Sequence, residues 1–174
     1  MNISTTSESP LILVACSLRK RPVASEARSL YVGELFKKAK RIAEQLGLDW
    51  LILSAKYGIV KPTDWLLPYD TSLSCTPRAA RLRWGLRQAV YLSPFTRPLI
   101  ALCGTSYLSP ILAAAHRFER FPDVFRPLLG QGIGQQLQTL SRLAHASSLS
   151  PLLRHHVPFT PPRQRSLFRE SFGP

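Results

Sequence analysis

Apolar residues gather in three short runs, Leu11–Ala15, Trp50–Leu53 and Leu99–Leu102. Each is too short for a helix and apolar on both alternating faces, which predicts strands buried in a parallel sheet. Between the first two runs, Val32, Leu35, Phe36, Ala39, Ile42, Ala43 and Leu46 recur at helical spacing. The spacing predicts one helix from about Ala27 to Leu46, stopped by Gly47. Strand, helix and strand within about 40 residues make a βαβ unit. Residues 54–76 show no period and contain Gly58, Pro62 and Pro68, so they read as a long loop of the kind that carries function. A helix is expected over Pro77–Leu92, with Leu82, Leu86, Ala89 and Val90 along one side. A further helix is expected over Ile111–Phe118, with Pro110 in its first turn, where a missing donor costs nothing. The last is expected from Gln135 to about Ala146, after Gly130–Gly134. The pattern predicts an α/β domain over residues 11–146, a three-layer α/β/α arrangement around a small, mostly parallel central sheet. A flexible stretch, residues 1–10, precedes it. Residues 147–174 follow as a basic tail with five prolines, four arginines and one acid.

Charge changes the picture most. The 174 residues carry 23 Lys and Arg against 10 Asp and Glu, a formal net charge of +13. Such a surplus on one small domain points to a polyanionic partner, nucleic acid before anionic membrane. No segment pairs a basic helix face with a large apolar one, which weighs against the membrane. The plain alternative is that the charge serves only solubility. No apolar run nears the roughly 18–20 residues of a membrane span. Met1–Pro10 lacks the basic start and apolar stretch of a signal peptide. Three widely spaced cysteines, Cys16, Cys75 and Cys103, suit reduced thiols and a cytoplasmic location.

Candidate chemistry sits where the expected strands end, because ligands of open α/β sheets bind outside the carboxyl ends of the strands. Those ends read Cys16-Ser17, Ser54-Ala-Lys56-Tyr57-Gly58 and Cys103-Gly104-Thr-Ser106. The loop after the first strand places Ser17, Arg19, Lys20 and Arg21 together, as phosphate oxygens require; it reads equally as a solvated basic loop. Cys16 beside it is either a small lining residue or a thiol activated by the cations. Gly58 permits positive φ, and Tyr57 can stack on a base or plug the sheet end. In the long loop, Asp64 and Asp70 stand in candidate catalytic positions, Asp70 directly after Pro68-Tyr69. A carboxylate there can activate water or offset a cationic sugar, or simply cap a turn before Thr71. The segment Arg78–Arg87 holds Arg78, Arg81, Arg83 and Arg87 with no acid. Trp84 is read either as exposed between guanidinium groups, suited to nucleic acid, or as core. Gly130-Gln-Gly-Ile-Gly134 reads as a close-packed turn rather than a nucleotide loop, since no clear strand precedes it.

Several patterns are missing. There is no GxxxxGK[ST] and no zinc-deaminase signature. His155 and His156 lack structural-zinc partners, and carboxylates are too scarce to favour a two-metal nuclease. Neither a metal nor a cofactor is expected.

Three stretches carry a resemblance: LVACSLRKRPVASEARSLYVGELFKKA, LILSAKYGIVKPTDWLLPYD and PLLGQGIGQQL. They resemble the small bacterial and phage proteins of the YaaA-like family. That family's cysteine–serine pair and lysine, Leu-Tyr, S-A-K-Y-G and P-Y-D fall here on Cys16, Ser17 and Lys20, on Leu30 and Tyr31, on Ser54–Gly58, and on Pro68–Asp70. The first motif is also similar to the catalytic part of archaeosine synthase, although Ala15 precedes Cys16 here and no matching histidine follows. The α/β layout is similar to that of the uracil-DNA glycosylases. These resemblances imply a pocket for an extruded nucleobase. The resulting expectation is a DNA-binding enzyme that cleaves the N-glycosidic bond of a modified nucleotide, in phage defence or repair. Asp70, Lys20 and Tyr31 are expected as catalytic residues. Cys16, Ser17, Ser54, Lys56, Tyr57, Gly58, Tyr69 and Gly104 are expected to line the substrate. Arg19, Arg21, Arg78, Arg81, Trp84 and Arg87 are expected to touch DNA. The competing expectations are a non-enzymatic DNA-binding protein and an RNA-base transferase of the archaeosine-synthase type.

Overall fold

The computed structural model describes residues 8–145, 148–153 and 156–159. In chain order its first half contains β1 (Leu11–Ala15), β2 (Ser25–Glu26), α1 (Ala27–Leu30), α2 (Glu34–Gln45), β3 (Trp50–Ser54), β4 (Gly58–Val60) and β5 (Trp65–Leu66). The second half contains α3 (Arg78–Leu92), β6 (Leu99–Leu102), α4 (Thr105–Ala115), β7 (Val124–Phe125), α5 (Ile133–Leu143) and β8 (His156–Val157).

The three apolar runs become the central strands. β1 lies between β3 and β6, parallel to both, with Val14 opposite Ile52 on one side and Leu102 on the other. β7 extends the parallel set beside β6, and antiparallel β4 and β8 close the edges in the order β4-β3-β1-β6-β7-β8. Alternation along the strands feeds two cores. Leu11, Leu13, Leu51, Leu53, Leu99 and Ala101 pack with Trp84, Ala89, Leu92, Leu108 and Ile111 of α3 and α4. Ile12, Val14, Ile52, Ile100 and Leu102 pack with Phe36, Ala39 and Ile42 of α2 and with Leu140 and Leu143 of α5. The result is a three-layer α/β/α fold.

The layering fixes where a crevice opens. The connection after β1 crosses to the α2 face, whereas those after β3 and β6 cross to the α3/α4 face. The loops leaving the carboxyl end of β1 therefore diverge from those of both neighbours, the topological condition for a binding crevice.

Four expected elements differ. The helix expected over Ala27–Leu46 is broken at Tyr31–Gly33, because Tyr31 pairs with Lys20 in an antiparallel bridge and Gly33 lies against Ser17. A Cβ on Gly33 would fall 2.6 Å from the Ser17 Cβ, so only glycine allows that approach. The long loop over 54–76 contains β4, paired to β3, and β5, paired to β2. The helix expected from Ile111 begins at Thr105 and ends at Ala115, placing Pro110 in its interior rather than its first turn. There Pro110 meets Gly85 of α3, whose missing side chain lets the two helices touch through backbone. Finally, part of the expected tail belongs to the fold: Leu152 is buried in the α2/α5 core and β8 pairs with β7. Residues 160–174 of that tail, and residues 1–7, lie outside the described residues.

Candidate functional site

At the carboxyl ends of β1, β3 and β6 a connected polar cluster stands over the core. Cys16 leaves β1, Ser54 ends β3, and Tyr107 lies in the first turn of α4 after β6. The Cys16 Sγ lies 3.1 Å from the Tyr107 hydroxyl and accepts from the Tyr69 hydroxyl at 3.4 Å. Tyr69 is the hub: its oxygen is 2.7 Å from Ser54 Oγ and 3.2 Å from the Tyr31 hydroxyl. The fully buried Ser54 Oγ also accepts from the Tyr57 backbone N–H at 3.0 Å, which turns the chain sharply toward Gly58. Burial raises the pKa of Tyr31 to about 12, and burial likewise raises Tyr69 and Tyr107, so these hydroxyls hold their protons. Beneath them, burial pushes the Cys103 thiol up to about 12.

Lys20 brings a cation to this cluster. Its Nζ sits 4.0 Å from the centre of the Tyr69 ring and 5.9 Å from that of Tyr31, and it donates to the Leu18 carbonyl at 3.1 Å. Burial lowers the Lys20 pKa, while Cys16 and then Asp70 act against that shift, which puts both groups within electrostatic reach of the ammonium. Asp70 is exposed. Lys56 adds a second ammonium, 5.2 Å from the Tyr57 ring centre and 5.9 Å from that of Tyr69. Among the described residues, no three His, Cys, Asp or Glu side chains gather as a metal-binding set.

The structure thus brings together Cys16, Lys20, Tyr31, Ser54, Lys56, Tyr57, Tyr69 and Asp70, and it changes the part several of them play. Tyr31, expected as catalytic, has its ring 2% exposed against Phe36 and Tyr69, and only its hydroxyl meets the cluster. Its hydroxyl acts through Tyr69. Tyr57, 37% exposed, keeps an open ring. Ser17, expected on a phosphate, is spent inside its loop: its Oγ donates to the Arg19 carbonyl at 2.6 Å and accepts from the Gly33 N–H at 3.0 Å. Gly58 has φ +78° and packs on Gln88, whose Oε1 accepts from the Ile59 N–H at 2.9 Å. Gly104 precedes α4 with open space where a side chain would stand.

Trp84 is the clear correction. It is 2% exposed, its Nε1–H donates to the Ser54 carbonyl at 3.1 Å, and its ring packs edge-on to Tyr107. A tryptophan locked under the site cannot touch DNA. With Gln88 also buried, α3 turns a face inward that leaves Leu82 and Val90 exposed. Arg19, Arg21, Arg78 and Arg87 are exposed and Arg81 is half-buried, none with a carboxylate partner among the described residues. Sequence reasoning missed Tyr107, whose only signal was its place three residues beyond Gly104.

The fold and site define a class of α/β/α domain with a hydroxyl and thiol cluster where the central strands end, at a topological switch, and with exposed cations near it. Within that class the chain belongs to DUF6884, a family of unknown function whose model matches residues 11–142. No curated protein and no solved structure matches it. No helix among the described residues is long and apolar enough to cross a membrane.

Proposed function

We propose that the protein binds DNA through its basic surface and hydrolyses the N-glycosidic bond of a modified base turned out into the strand-end crevice. The observation that carries the reading is the grouping of Lys20 and the Tyr57/Tyr69 pair around Cys16 and Ser54, with the exposed Asp70 next to Tyr69 in the chain and within electrostatic reach of Lys20. Each group answers a need of the reaction. The open Tyr57 ring, held edge-on to Tyr69 at 5.4 Å, supplies a stacking face for the base. The Lys20 ammonium, fixed over Tyr69, supplies a cation for the flanking phosphate. Asp70 supplies a carboxylate where the C1′–N bond breaks. There it offsets the cationic sugar and takes a proton from the attacking water, whose oxygen bonds to C1′ as the base leaves with the bond's electron pair. The hydroxyls of Tyr69 and Tyr107, kept protonated by burial, are donors for the polar edge of the extruded base.

A net charge of +13 supports sequence-independent affinity for the phosphate backbone. The three free cysteines fit a reducing, cytoplasmic setting, and a place in phage defence or repair follows from excising unusual bases. The test is to incubate the full chain with natural and base-modified duplex and single-stranded DNA, then score abasic sites by alkaline cleavage and free base by chromatography. The proposal expects abasic sites on at least one modified substrate and none on unmodified DNA. Binding without base release on every modified substrate would leave a DNA-binding protein in its place.

A further inference from the structure

The two-residue strand β5 pairs antiparallel with β2, Leu66 opposite Ser25 and Trp65 opposite Glu26. Because side chains alternate along a strand, the buried Leu66 and Ser25 fix one face inward and turn Trp65 and Leu67 outward. Trp65 is 71% exposed and Leu67 64% exposed. Tryptophan is highly buried on average, so an indole this open beside a second bare aliphatic side chain calls for a partner. The strip adjoins the crevice directly: the Leu67 carbonyl accepts from the Tyr57 hydroxyl at 3.3 Å, and Tyr57 packs on Tyr69.

The charges around the strip select the partner. Its own acid, Glu26, is engaged by the Arg28 Nε at 2.7 Å, and Asp64 accepts from the Lys61 backbone N–H at 2.8 Å. Two cations are tied to the strip: Lys56 lies by the ring of Tyr57, whose hydroxyl bonds the Leu67 carbonyl, and Lys61 stands in the turn just before Trp65. Both are exposed and have no carboxylate within ion-pairing distance among the described residues. An open indole and aliphatic face set among free cations is complementary to a chain of phosphates that carries aromatic rings.

We infer that the Trp65–Leu67 strip is a stacking platform for the bases of an unpaired nucleic-acid strand, placed to lead that strand to the crevice. The inference rests on the proposed action on nucleic acid and names the surface that receives the strand next to the reacting base. Any base has a π-face, so the platform tolerates sequence, and its contribution is stacking rather than hydrogen-bond readout.

Tryptophan emission tests it without any reaction. Of the three tryptophans, Trp84 is buried and Trp50 half-buried, so the emission that solvent quenchers reach is chiefly that of Trp65. The full chain is titrated with single-stranded oligothymidylate at low salt, beside Trp65→Ala, Trp65→Phe and Leu67→Ala, with circular dichroism confirming each fold. Oligothymidylate is expected to quench the wild-type emission and shield it from acrylamide. Trp65→Ala is expected to lose about 10-fold or more in affinity, and Trp65→Phe, which keeps an aromatic face, to recover most of it. Binding that leaves Trp65 emission and acrylamide access unchanged would overturn the inference, as would wild-type affinity in Trp65→Ala. So would concentration-dependent self-association abolished by Trp65→Ala, which would assign the strip to a second copy of the chain. Stacking on Trp65 without base release on any substrate would leave the platform standing and remove only the glycosidic reaction. Base release with no effect at Trp65 would do the reverse.

Discussion

Replacing Tyr69 by phenylalanine removes one oxygen and leaves the ring, its contact with Tyr57 and its place under Lys20. That oxygen is the hub of the cluster, facing Ser54 Oγ at 2.7 Å, the Tyr31 hydroxyl at 3.2 Å and Cys16 Sγ at 3.4 Å. Cys16 keeps Tyr107 as a partner. Ser54 does not fare as well: it is fully buried, its oxygen is already used by the Tyr57 N–H, and its own O–H is left with nothing to donate to. A buried donor without a partner costs about 1–3 kcal/mol, offset in part because the Tyr69 hydroxyl no longer has to be desolvated. A net loss of about 2 kcal/mol follows, and at this chain length that lowers Tm by about 4–8 °C. The assay is thermal unfolding followed by circular dichroism, run as a cycle with Ser54→Ala and the double variant. If the hydroxyl pair carries the cost, the two losses are not additive and the coupling is about 1 kcal/mol. A Tm within about 1 °C of the wild type, or strictly additive losses, would show that the hydroxyls do not form a connected network.

Three further outcomes follow from other parts of the structure. Gly85→Ala pushes a methyl group into the Pro110 carbonyl and to 2.6 Å from the Pro110 Cβ. Overpacking of about 3 kcal/mol, less about 1 kcal/mol of helix propensity, predicts a loss of about 2 kcal/mol in a urea titration; an unchanged midpoint would contradict the close α3–α4 contact. Stability should fall as pH rises above about 9, because Cys103 and Tyr31, raised to about 12 from 9.0 and 10.0, keep protons in the fold that the unfolded chain has begun to release. Lys20, lowered from 10.5, works the other way, since its charged form is the one burial penalises, but it is only partly buried and the weaker influence. Urea midpoints between about pH 8 and 11 that stay flat or rise would refute this balance. Arg81→Ala with Arg87→Ala should weaken DNA binding across sequences and reduce the salt slope by about 2; an unchanged slope would take α3 out of the DNA interface.

The parts of the fold that local pattern dictates were legible, and those set by distant contacts were not. β1, β3 and β6 are buried on both faces, so their apolar runs declare them. The break at Tyr31–Gly33 leaves no such trace: apolar residues continue through it at helical spacing, and it is imposed from outside by Lys20 and Ser17. The inward face of α3 was misjudged for a similar reason. It contains Gly85 and Gln88 along with Trp84, two of which no hydropathy pattern would bury. They are buried because Pro110 requires a glycine, the Ile59 N–H requires an acceptor and the Ser54 carbonyl requires a donor. The strand-end placement of the polar cluster was readable from the α/β pattern alone. Its hub was not, since what makes Tyr69 central is contact with Ser54, Tyr31 and Cys16 from three separate segments.

The proposed reaction depends on one carboxylate, Asp70, which is exposed and within electrostatic reach of Lys20. The most direct measurement is free-base release from one modified DNA substrate by the wild type and by Asp70→Asn, with DNA affinity measured in parallel. An amide has nearly the same shape as a carboxylate, yet it can neither balance the cationic sugar nor accept a proton from water. The account predicts a folded Asp70→Asn protein that binds DNA as the wild type does and releases base about 100-fold more slowly or worse. Unchanged release by that folded variant would contradict it.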